Sequence, residues 1–470
     1  MSGSGRRRLG IGLDFGTSNS AAAWFDGERL HTVPLEGTSP VLPTAIHLDR
    51  SYLALTGQAA IDQYISENRG RRVELVAEVI GEAAGSITGN NTGEDISRLE
   101  TRRHVIFGPL VDRGLPGRLF QGLKRLLGDP DMERIPVFER SFRLVALLTP
   151  ILIRIRHGVE DDAAGELVPI HAGRPIHFEG RHPDRNATAM GRLSEALSHA
   201  GLGAEGFYPE PLAATLSYLN RNPPAQPGIA LTVDFGGGTL DLSVVRYSNT
   251  GAAFEMLATA GVALGGDRID QLIFEAMLFP LLGKGETWSR MVDGRMIETL
   301  FPFEEFEREL LNWPITHLLN QNRTRTMVVD RLSRGGPAAE KFERLHDIIS
   351  WNYGYTCFQA IRLAKAQLSA VEETVIDIPE LNISAPFHRR QLDAILEPVL
   401  ASLRTQLQSV LAASAVEAGQ VSVVVRTGGS SQIVAVKNLL ESMFPGRVVE
   451  HDPFTSVAAG LAIASFHGYR

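Results

Sequence analysis

Two short segments of the chain each join an aspartate to a glycine turn, a combination typical of phosphate binding. Residues 14–19 read DFGTSN, and residues 234–241 read DFGGGTLD. Glycine lets the backbone come close to a ligand, and successive backbone N–H groups form a concave anion site. A carboxylate in such a place repels phosphate unless a cation lies between them. Asp14 and Asp234 therefore predict a bridging Mg²⁺ that is held through its water molecules, because this ion gives up water reluctantly.

Apolar runs flank both turns and indicate the elements that must position them. The first turn lies between residues 9–14 and 21–25, and the second lies between residues 229–234 and 240–245. Each segment reads as strand, tight turn and strand, which is a β-hairpin. The hairpins begin roughly 220 residues apart and match each other, so the sequence predicts an internal duplication and two similar lobes. Two such hairpins facing each other would hold a polyphosphate from both sides, which suits phosphoryl transfer.

Other common phosphate-binding patterns are missing from the sequence. No segment reads G-x-x-x-x-G-K-[ST], because the segment at residues 283–285 lacks both the hydroxyl residue and the spacing of that motif. Gly10 and Gly12 are not followed by the rest of a dinucleotide-binding fingerprint. The paired hairpins are therefore the strongest chemical signal in the sequence.

Composition narrows the class of protein further. The chain of 470 residues has a formal net charge of −8, which argues against nucleic acid as the main partner. Its single cysteine, Cys357, lies in an apolar stretch, so we expect a packed thiol and a reducing, cytoplasmic setting. No apolar run approaches the ~18 residues that would cross a bilayer, and no signal peptide is evident. We therefore expect no membrane association.

Taken in order, the motifs of this chain resemble those of the ATPase unit of Hsp70 proteins. Residues 12–18 resemble the first phosphate motif of that family, and residues 234–241 resemble the second. Further resemblances cover nearly the whole chain: the loop at 120–128 with its lysine, EPLAA at 210–214, LGGD at 264–267, LAKAQLS at 363–369 and TGGS at 427–430. GRPI at 173–176 and PLLG at 280–283 suggest the short bacterial YegD-type branch.

The resemblance implies an α/β, two-lobed actin-like ATPase fold with duplicated RNase H-like lobes, each a mixed five-stranded sheet flanked by helices. Lobe I is expected to comprise residues 1–222, with an insertion subdomain at about 43–140, and to regain the C-terminal helix at 454–470. Lobe II is expected to comprise residues 223–453, with an insertion at about 267–350. A peptide-binding domain of the Hsp70 type is expected to be absent.

The resemblance also implies roles for individual residues. Asp14 and Asp234 would hold hydrated Mg²⁺, and Lys124 would contact the γ-phosphate and the attacking water. Glu210 and Asp241 would order waters around the metal, which completes a catalytic set with Lys124 and Asp234. The remaining nucleotide-binding residues implied by the motifs are Gly16, Thr17, Ser18, Asn19, Gly236, Gly237, Gly238, Thr239, Gly265, Gly266, Asp267, Arg362, Lys365, Ser369, Gly428, Gly429, Ser430 and Gln432.

The base side of the implied pocket departs from the family. Hsp70 proteins stack adenine between two arginines, and those positions read Ala366 and Gln432 here. A family glutamate that contacts ribose becomes Arg362, and an acidic residue becomes Phe454. The loss of cation stacking should weaken base binding, although Phe454 would replace some of it. The base preference therefore stays open, with ATP or ADP favoured.

The expected function is that of an Hsp70-like protein that binds Mg-ATP, hydrolyses it slowly and acts as a chaperone-like switch on a partner protein or cochaperone. A catalytically weak, nucleotide-bound scaffold is one alternative, suggested by the altered base side. A small-molecule kinase of the same superfamily is another. Such a kinase needs a carboxylate aimed at an acceptor hydroxyl, and none is identifiable in the sequence.

Overall fold

The computed structural model describes residues 8–85, 102–112, 114–163, 170–248 and 254–469. The strands are β1 Gly10–Phe15, β2 Asn19–Phe25, β3 Leu30–Thr32, β4 Val41–Pro43, β5 Ala45–Asp49, β6 Ala54–Thr56, β7 Leu75–Gly85, β8 Arg102–Asp112, β9 Gly117–Gln121, β10 Arg134–Val137, β11 Arg140–Arg143, β12 Ile170–Arg174, β13 Ala204–Pro209, β14 Gly228–Phe235, β15 Leu240–Tyr247, β16 Phe254–Val262, β17 Thr287–Val292, β18 Arg295–Leu300, β19 Glu373–Ile378, β20 Ile383–His388, β21 Val423–Thr427 and β22 Val448–Glu450.

The α-helices are α1 Gln58–Asn68, α2 Leu144–Asp162, α3 Arg185–His199, α4 Glu210–Arg221, α5 Gly266–Ile273, α6 Glu304–Leu310, α7 Asn322–Ser333, α8 Ala339–Trp351, α9 Gly354–Gln367, α10 Arg389–Ser414, α11 Val434–Met443 and α12 Ser456–His467. A π-helical turn, Phe274–Leu278, continues α5. Short 3₁₀ helices lie at Leu123–Leu126, Phe279–Leu282, Trp313–Leu319, Pro379–Leu381, Ala418–Gln420 and Gly429–Gln432. Within the ranges described, no helix is both long and apolar enough to span a membrane.

Two mixed sheets repeat the same strand order. Read from the parallel edge, the first sheet runs β13-β12-β1-β2-β3 and the second runs β22-β21-β14-β15-β16. In each sheet the hairpin is antiparallel, and the next strand beside it is parallel. This repetition confirms the predicted α/β fold class. The expectation of five strands in each sheet is wrong for the first, because β4 also pairs with β2 and makes a sixth strand.

Helices cover the faces of these sheets, which explains why the central strands are buried along most of their length. α12 packs on β1, β2 and β12, and α10 packs on β15 and β16. β1 and β14 are accordingly rich in apolar residues without alternation, as expected of strands covered on both sides. α4 contacts strands of both sheets, so its first residue, Glu210, lies where the sheets meet. The lobe boundaries given above stay a prediction.

The apolar-rich segment at residues 342–368 forms most of two helices, α8 and α9. They are separated at Asn352, whose φ of 56° lies in the left-handed region. Cys357 on α9 is fully buried, and burial raises the pKa of its thiol. The predicted packed cysteine is thus confirmed.

A contact between α1 and the segment 313–320 joins the two halves of the chain, and we call it the α1 contact. Ala60, Ile61 and Tyr64 of α1 belong to the same buried apolar cluster as β14, α8 and α9. The Tyr64 hydroxyl donates to the Pro314 carbonyl and lies 2.6 Å from His317 Nδ1. Because Tyr64 has one hydroxyl proton and donates it to Pro314, this contact requires the proton of the neutral imidazole to lie on Nδ1, which then donates to the tyrosine oxygen. Beside them, the Val73 N–H donates to the Asn320 carbonyl at 2.8 Å.

Substitution of Tyr64 by phenylalanine should destabilise the protein. It leaves the Pro314 carbonyl and His317 Nδ1 without their partner in a buried place, which costs about 1–3 kcal/mol of unfolding free energy. Urea denaturation followed by circular dichroism measures the loss. Tyr355→Phe is the matched control, because among the described residues the Tyr355 hydroxyl accepts a single long hydrogen bond, from Gln58 Nε2 at 3.4 Å. Equal stability of Tyr64→Phe and the unsubstituted protein would contradict the prediction.

Candidate functional site

A buried ion pair, Lys124 with Glu210, stands at the centre of the candidate site. β9 ends at Gln121, and the 3₁₀ helix that follows directs Lys124 inward. Glu210 is the first residue of α4, directly after β13. Lys124 Nζ lies 2.6 Å from Glu210 Oε1, with only 6% and 8% of the two residues exposed. The structure therefore brings together two of the predicted catalytic residues, which are far apart in the sequence.

Three aspartates share the electrostatic field of this pair. Burial, and then Glu210, raises the pKa of Asp14 to about 7. Burial, and then Glu210, raises the pKa of Asp241 to about 6. The pKa of Asp234 lies well above its ordinary value because of burial and then Asp241. Burial alone would lower the pKa of Lys124, but Glu210 and Asp14 hold it above its ordinary value. Four carboxyl groups thus face one ammonium group.

This excess of carboxylates fits a divalent cation. Such an ion would neutralise the repulsion that raises the aspartate pKa values. In the described ranges, no three His, Cys, Asp or Glu side chains lie close enough to ligate one metal ion directly. Mg²⁺ keeps several of its waters in most protein sites. The residues present therefore fit a hydrated ion near Asp14 and Asp234 better than a dehydrated ion in a closed cage.

The two glycine turns approach each other across this site. A β-carbon built at Gly237 would lie 2.8 Å from Ser18 Oγ, and one built at Gly238 would lie 3.3 Å from Thr17 Cβ. The second turn is closed by the Gly236 N–H, which donates to the Thr239 carbonyl at 3.0 Å. In the first turn, Gly16 precedes Thr17, and Asn19 is exposed at the start of β2. Gly237 and Gly238 of the second turn therefore lie next to Ser18 and Thr17 of the first.

The Gly265–Asp267 segment packs directly on the second turn. The Gly266 N–H donates to the Gly236 carbonyl at 2.9 Å, and the Asp267 N–H donates to the Gly237 carbonyl at 2.8 Å. A β-carbon at Gly265 would lie 2.3 Å from the Gly237 carbonyl oxygen. The backbone can approach this closely only because residue 265 has no side chain.

The loop after β21 forms another wall of the site. Gly428 has a φ of 80°, and a β-carbon there would lie 2.4 Å from the Phe235 carbonyl oxygen and 2.8 Å from Asp234 Oδ1. Ser430 Oγ donates to the Gly236 carbonyl at 3.1 Å. Gly429 and Gln432 belong to the 3₁₀ helix that continues this loop. The predicted TGGS residues thus lie beside the predicted metal-holding aspartate.

Arg125 was not predicted from the sequence, yet it links the two halves of the site. Its Nη2 lies 3.1 Å from Asp267 Oδ2, and its Nε lies 3.4 Å from Glu179 Oε1. Ser18 Oγ also donates to Asp267 Oδ2, at 3.5 Å. The sequence did offer one indication of this role. Arg125 follows Lys124 directly in the same 3₁₀ helix, and neighbouring residues of one short turn lie in the same region of the fold.

Asp270 is a second residue that the sequence analysis missed. It accepts from two predicted nucleoside-contacting residues of α9, with Arg362 Nε at 3.1 Å and Lys365 Nζ at 2.5 Å. Asp270 lies three residues after Asp267 on α5, so the two carboxylates lie on one helix face, and that spacing could have revealed it. Ser369 lies just beyond α9, where its N–H donates to the Ala366 carbonyl at 3.1 Å. No described contact joins the Ser369 side chain to the other predicted residues.

Two mixed sheets of equal topology, with acidic hairpin turns facing each other, define the class of two-lobed actin-like ATPase folds. The family model described as "Hsp70 protein" matches residues 137–284 and 357–466, which is more than half of the chain. The chain belongs to the Hsp70 family.

Curated relatives agree with this assignment. A chaperone protein HscA homolog of Pseudomonas fluorescens is 26% identical over 464 residues, which are 97% of this chain and 57% of the relative. The HscA homolog of Burkholderia multivorans is 29% identical over 274 residues, or 58% of this chain and 38% of the relative. The matched residues therefore cover little more than half the length of the first relative and less than half of the second. The narrower YegD-type expectation is not tested by these matches.

Substitution of Gly265 by alanine should disrupt the candidate site. The new methyl group would collide with the Gly237 backbone and push the second turn away from the first. We expect a lower melting temperature, measured by differential scanning fluorimetry. Gly419→Ala is the matched control, because a β-carbon at Gly419 meets nothing within 4 Å. An unchanged melting temperature of Gly265→Ala would contradict the described packing.

The metal-free protein should lose stability as pH rises from about 5 to 8. The folded-state pKa values of Asp14, about 7, and Asp241, about 6, lie above the ordinary 3.8. In that window the folded state holds protons that the unfolded state has released, so the free energy of unfolding falls with rising pH. Asp241→Asn should reduce this fall, and added Mg²⁺ should stabilise the unsubstituted protein more at pH 8 than at pH 5. Differential scanning fluorimetry measures both effects.

Asp377→Asn is the matched control for this titration, because Asp377 is exposed on β19. Comparison of variants at each pH removes the contribution of other titrating groups, such as His317, whose burial lowers its pKa to about 4. An identical pH dependence for Asp241→Asn and Asp377→Asn would contradict the prediction.

Proposed function

We propose that this chain binds Mg-ATP between its two glycine turns and hydrolyses it slowly, as a chaperone-like switch acting on a partner protein. The observation that carries the proposal is the set of four carboxyl groups around Lys124, placed where the two turns meet. Such a set needs a cation to accept a polyphosphate, and the turns supply the N–H groups that a polyphosphate needs. Membership of the Hsp70 family supports the same nucleotide class.

The residues of the site and a bound Mg²⁺ would have distinct chemical roles in ATP hydrolysis. A bound Mg²⁺ would neutralise phosphate charge and favour departure of the γ-phosphoryl group. Asp14 and Asp234 would hold that ion through its waters, and the N–H groups of the two turns would bind the phosphate oxygens. Lys124 provides a compact positive charge for a terminal phosphate. Glu210 holds the Lys124 ammonium in place at 2.6 Å and, with Asp241, accepts hydrogen bonds from water close to the phosphate.

The chaperone part of the proposal rests on relatives. Curated proteins that match this chain carry the name chaperone protein HscA homolog. Because the chain spans 57% of the Pseudomonas fluorescens relative, a client or cochaperone for this chain is a proposal. Arg125 and Ser18 both bind Asp267 across the gap between the turns, so phosphates entering the gap would change contacts that join the two halves.

A nucleotide-bound scaffold is the second candidate, and the α1 contact favours it. The contact buries Tyr64 among residues of the second half and fixes it through Pro314 and His317. A buried contact of this kind resists separation of the halves, which would slow nucleotide exchange. The kinase alternative gains no support from the described residues.

Phosphate release by the unsubstituted protein and by Asp234→Asn distinguishes these candidates. The amide keeps the shape of the carboxyl group but removes its negative charge. If the chain is an ATPase, Asp234→Asn should lower Mg-dependent turnover by about 100-fold, the usual effect of removing one preorganised electrostatic group. Asp377→Asn should hydrolyse ATP at the unsubstituted rate. Equal phosphate release by all three proteins would contradict the ATPase proposal and leave the nucleotide-bound scaffold as the remaining candidate.

A further inference from the structure

Two short turns in the first half of the chain face each other, and we call them the paired turns. The first, residues 49–53, joins β5 to β6, and the second, residues 137–140, joins β10 to β11. The ring centroids of Tyr52 and Phe138, one from each turn, lie 6.3 Å apart. Both residues have a positive φ, 64° and 55°, which is costly for a bulky side chain and persists only where the surroundings enforce it. Backbone of this kind concentrates at binding sites, so the paired turns are a candidate site.

The paired turns also exchange arginine side chains. Arg50 of the first turn places its Cζ atom 4.8 Å from the ring centroid of Phe138. Arg140 of the second turn places its Cζ atom 4.6 Å from the ring centroid of Tyr52, and at such distances the ring and the cation attract each other. A guanidinium group has five N–H donors in a fixed fork. Contact with one ring therefore orients each arginine and leaves donors for an acceptor.

The carboxylates of the paired turns leave one of these arginines unneutralised. Asp49 Oδ1 fixes the first turn, because it accepts from two backbone N–H groups at 2.8 and 2.9 Å. Glu139 Oε1 lies 3.3 Å from Arg50 Nη1. Arg140 is exposed, and its guanidinium group, which lies over the Tyr52 ring, contacts no carboxylate or hydrogen-bond acceptor of the described part of the chain. The site thus offers an oriented cation that lacks an anion.

Neighbouring contacts hold the ring beside this arginine in place. Tyr52 packs against Phe142 of β11, with ring centroids 5.4 Å apart, and the Tyr52 N–H donates to the Asp49 carbonyl at 2.9 Å. Arg118 of β9 donates to the Pro136 carbonyl, which ties the second hairpin to the sheet that carries the first turn. A ligand that binds here would therefore lose little entropy in ordering the protein.

The strand that follows the first turn is an exposed edge. Among the described strands, β6 pairs with β5 alone. The Asp49 N–H donates to the Leu53 carbonyl at 3.2 Å, so residue 53 bonds towards β5. Because hydrogen bonding alternates along an antiparallel strand, Ala54 directs its N–H and its carbonyl to the free edge. Leu53 and Leu55 are 69% and 42% exposed, and an exposed apolar edge of this kind is a template for pairing with another extended chain.

The charges select the kind of chain that would pair there. A carboxylate accepts two N–H groups of one guanidinium group at once, which makes this a strong form of hydrogen bonding. A long polyanion would be repelled by the rest of the protein, whose formal net charge is −8. A short peptide segment that combines acidic and apolar side chains satisfies Arg140, the edge of β6 and the exposed leucines together.

We propose that the paired turns and the edge of β6 form a docking surface for an extended acidic segment of a partner protein. The segment pairs with Ala54 through its backbone, a carboxylate binds the free donors of Arg140, and an apolar side chain covers Leu53. This surface shares no residue with the candidate nucleotide site, so the proposal stands or falls separately from the proposed ATPase.

Fluorescence anisotropy with two labelled hexapeptides tests this assignment. One probe alternates glutamate and leucine, and the other alternates lysine and leucine. The unsubstituted protein should bind the acidic probe, more weakly as salt is added, and should not bind the basic probe. Arg140→Gln should weaken binding of the acidic probe by about 10- to 150-fold, the usual effect of losing a hydrogen bond between charged groups. Arg323→Gln is the matched control and should bind normally, because this arginine, whose side chain is 76% exposed, is paired with Glu305.

Two further variants separate the parts of the surface. Arg140→Lys keeps the charge but loses the fork of donors, so its affinity should lie between those of Arg140→Gln and the unsubstituted protein. Ala54→Pro removes the N–H at the free edge and should also weaken binding of the acidic probe. Circular dichroism checks that each variant is folded, and the arginine variants decide the result if proline disturbs β6.

Three other outcomes overturn the proposal. If the unsubstituted protein did not bind the acidic probe, or bound both probes equally, the surface would not select an acidic peptide. If Arg140→Gln and Arg323→Gln bound the acidic probe with equal affinity, the peptide would dock elsewhere. Each of these results would leave the proposed nucleotide site unaffected.

Discussion

The pairing of one buried lysine with an excess of carboxyl groups is the constraint on which the rest of the site depends. Lys124 and Glu210 satisfy each other at 2.6 Å, and Asp14, Asp234 and Asp241 are left with pKa values raised by burial and mutual repulsion. A protein gains no stability from such a cluster by itself, since buried like charges repel. Its presence at the meeting point of two glycine turns is explained if the cluster serves a cation and a phosphate chain.

The two repeated sheets explain how residues so distant in sequence reach this point. Each sheet contributes a hairpin whose turn carries an aspartate and glycines, and α4 contacts both sheets where Glu210 begins it. The width of the gap between the two turns therefore depends on how the two halves of the chain are arranged. Arg125, Ser18 and Asp267 join the halves at the gap, whereas the α1 contact joins them through a buried tyrosine. The switch and scaffold candidates differ in which of these two sets of contacts controls the relation between the halves.

The sequence predicted the hairpins because apolar strands, a glycine turn and a terminal aspartate are all local signals. The duplication then allowed the repeated sheets to be inferred, although the extra pairing of β4 with β2 could not be, since a three-residue edge strand has almost no pattern. Lys124 and Glu210 were identified through family motifs. Arg125 and Asp270 were missed because their importance comes from partners, Asp267 in one case and Arg362 and Lys365 in the other, that only the folded chain brings near.

The part of the implied pocket that would hold the nucleotide base was likewise only partly predictable from the sequence. The sequence revealed that Gln432 and Phe454 stand where the family has other residues, but the contact of the phenyl ring with Gly429 is a property of the fold. Departures from a family motif therefore become interpretable only when their neighbours are known.

Anomalous X-ray scattering from crystals grown with ATP and Mn²⁺, as a substitute for Mg²⁺, tests the central claim most directly. We predict one manganese peak between Asp14 and Asp234, with water molecules joining it to both carboxylates and phosphate oxygens within reach of both glycine turns. A manganese ion bound elsewhere, or a nucleotide whose phosphates contact only one of the turns, would contradict the account.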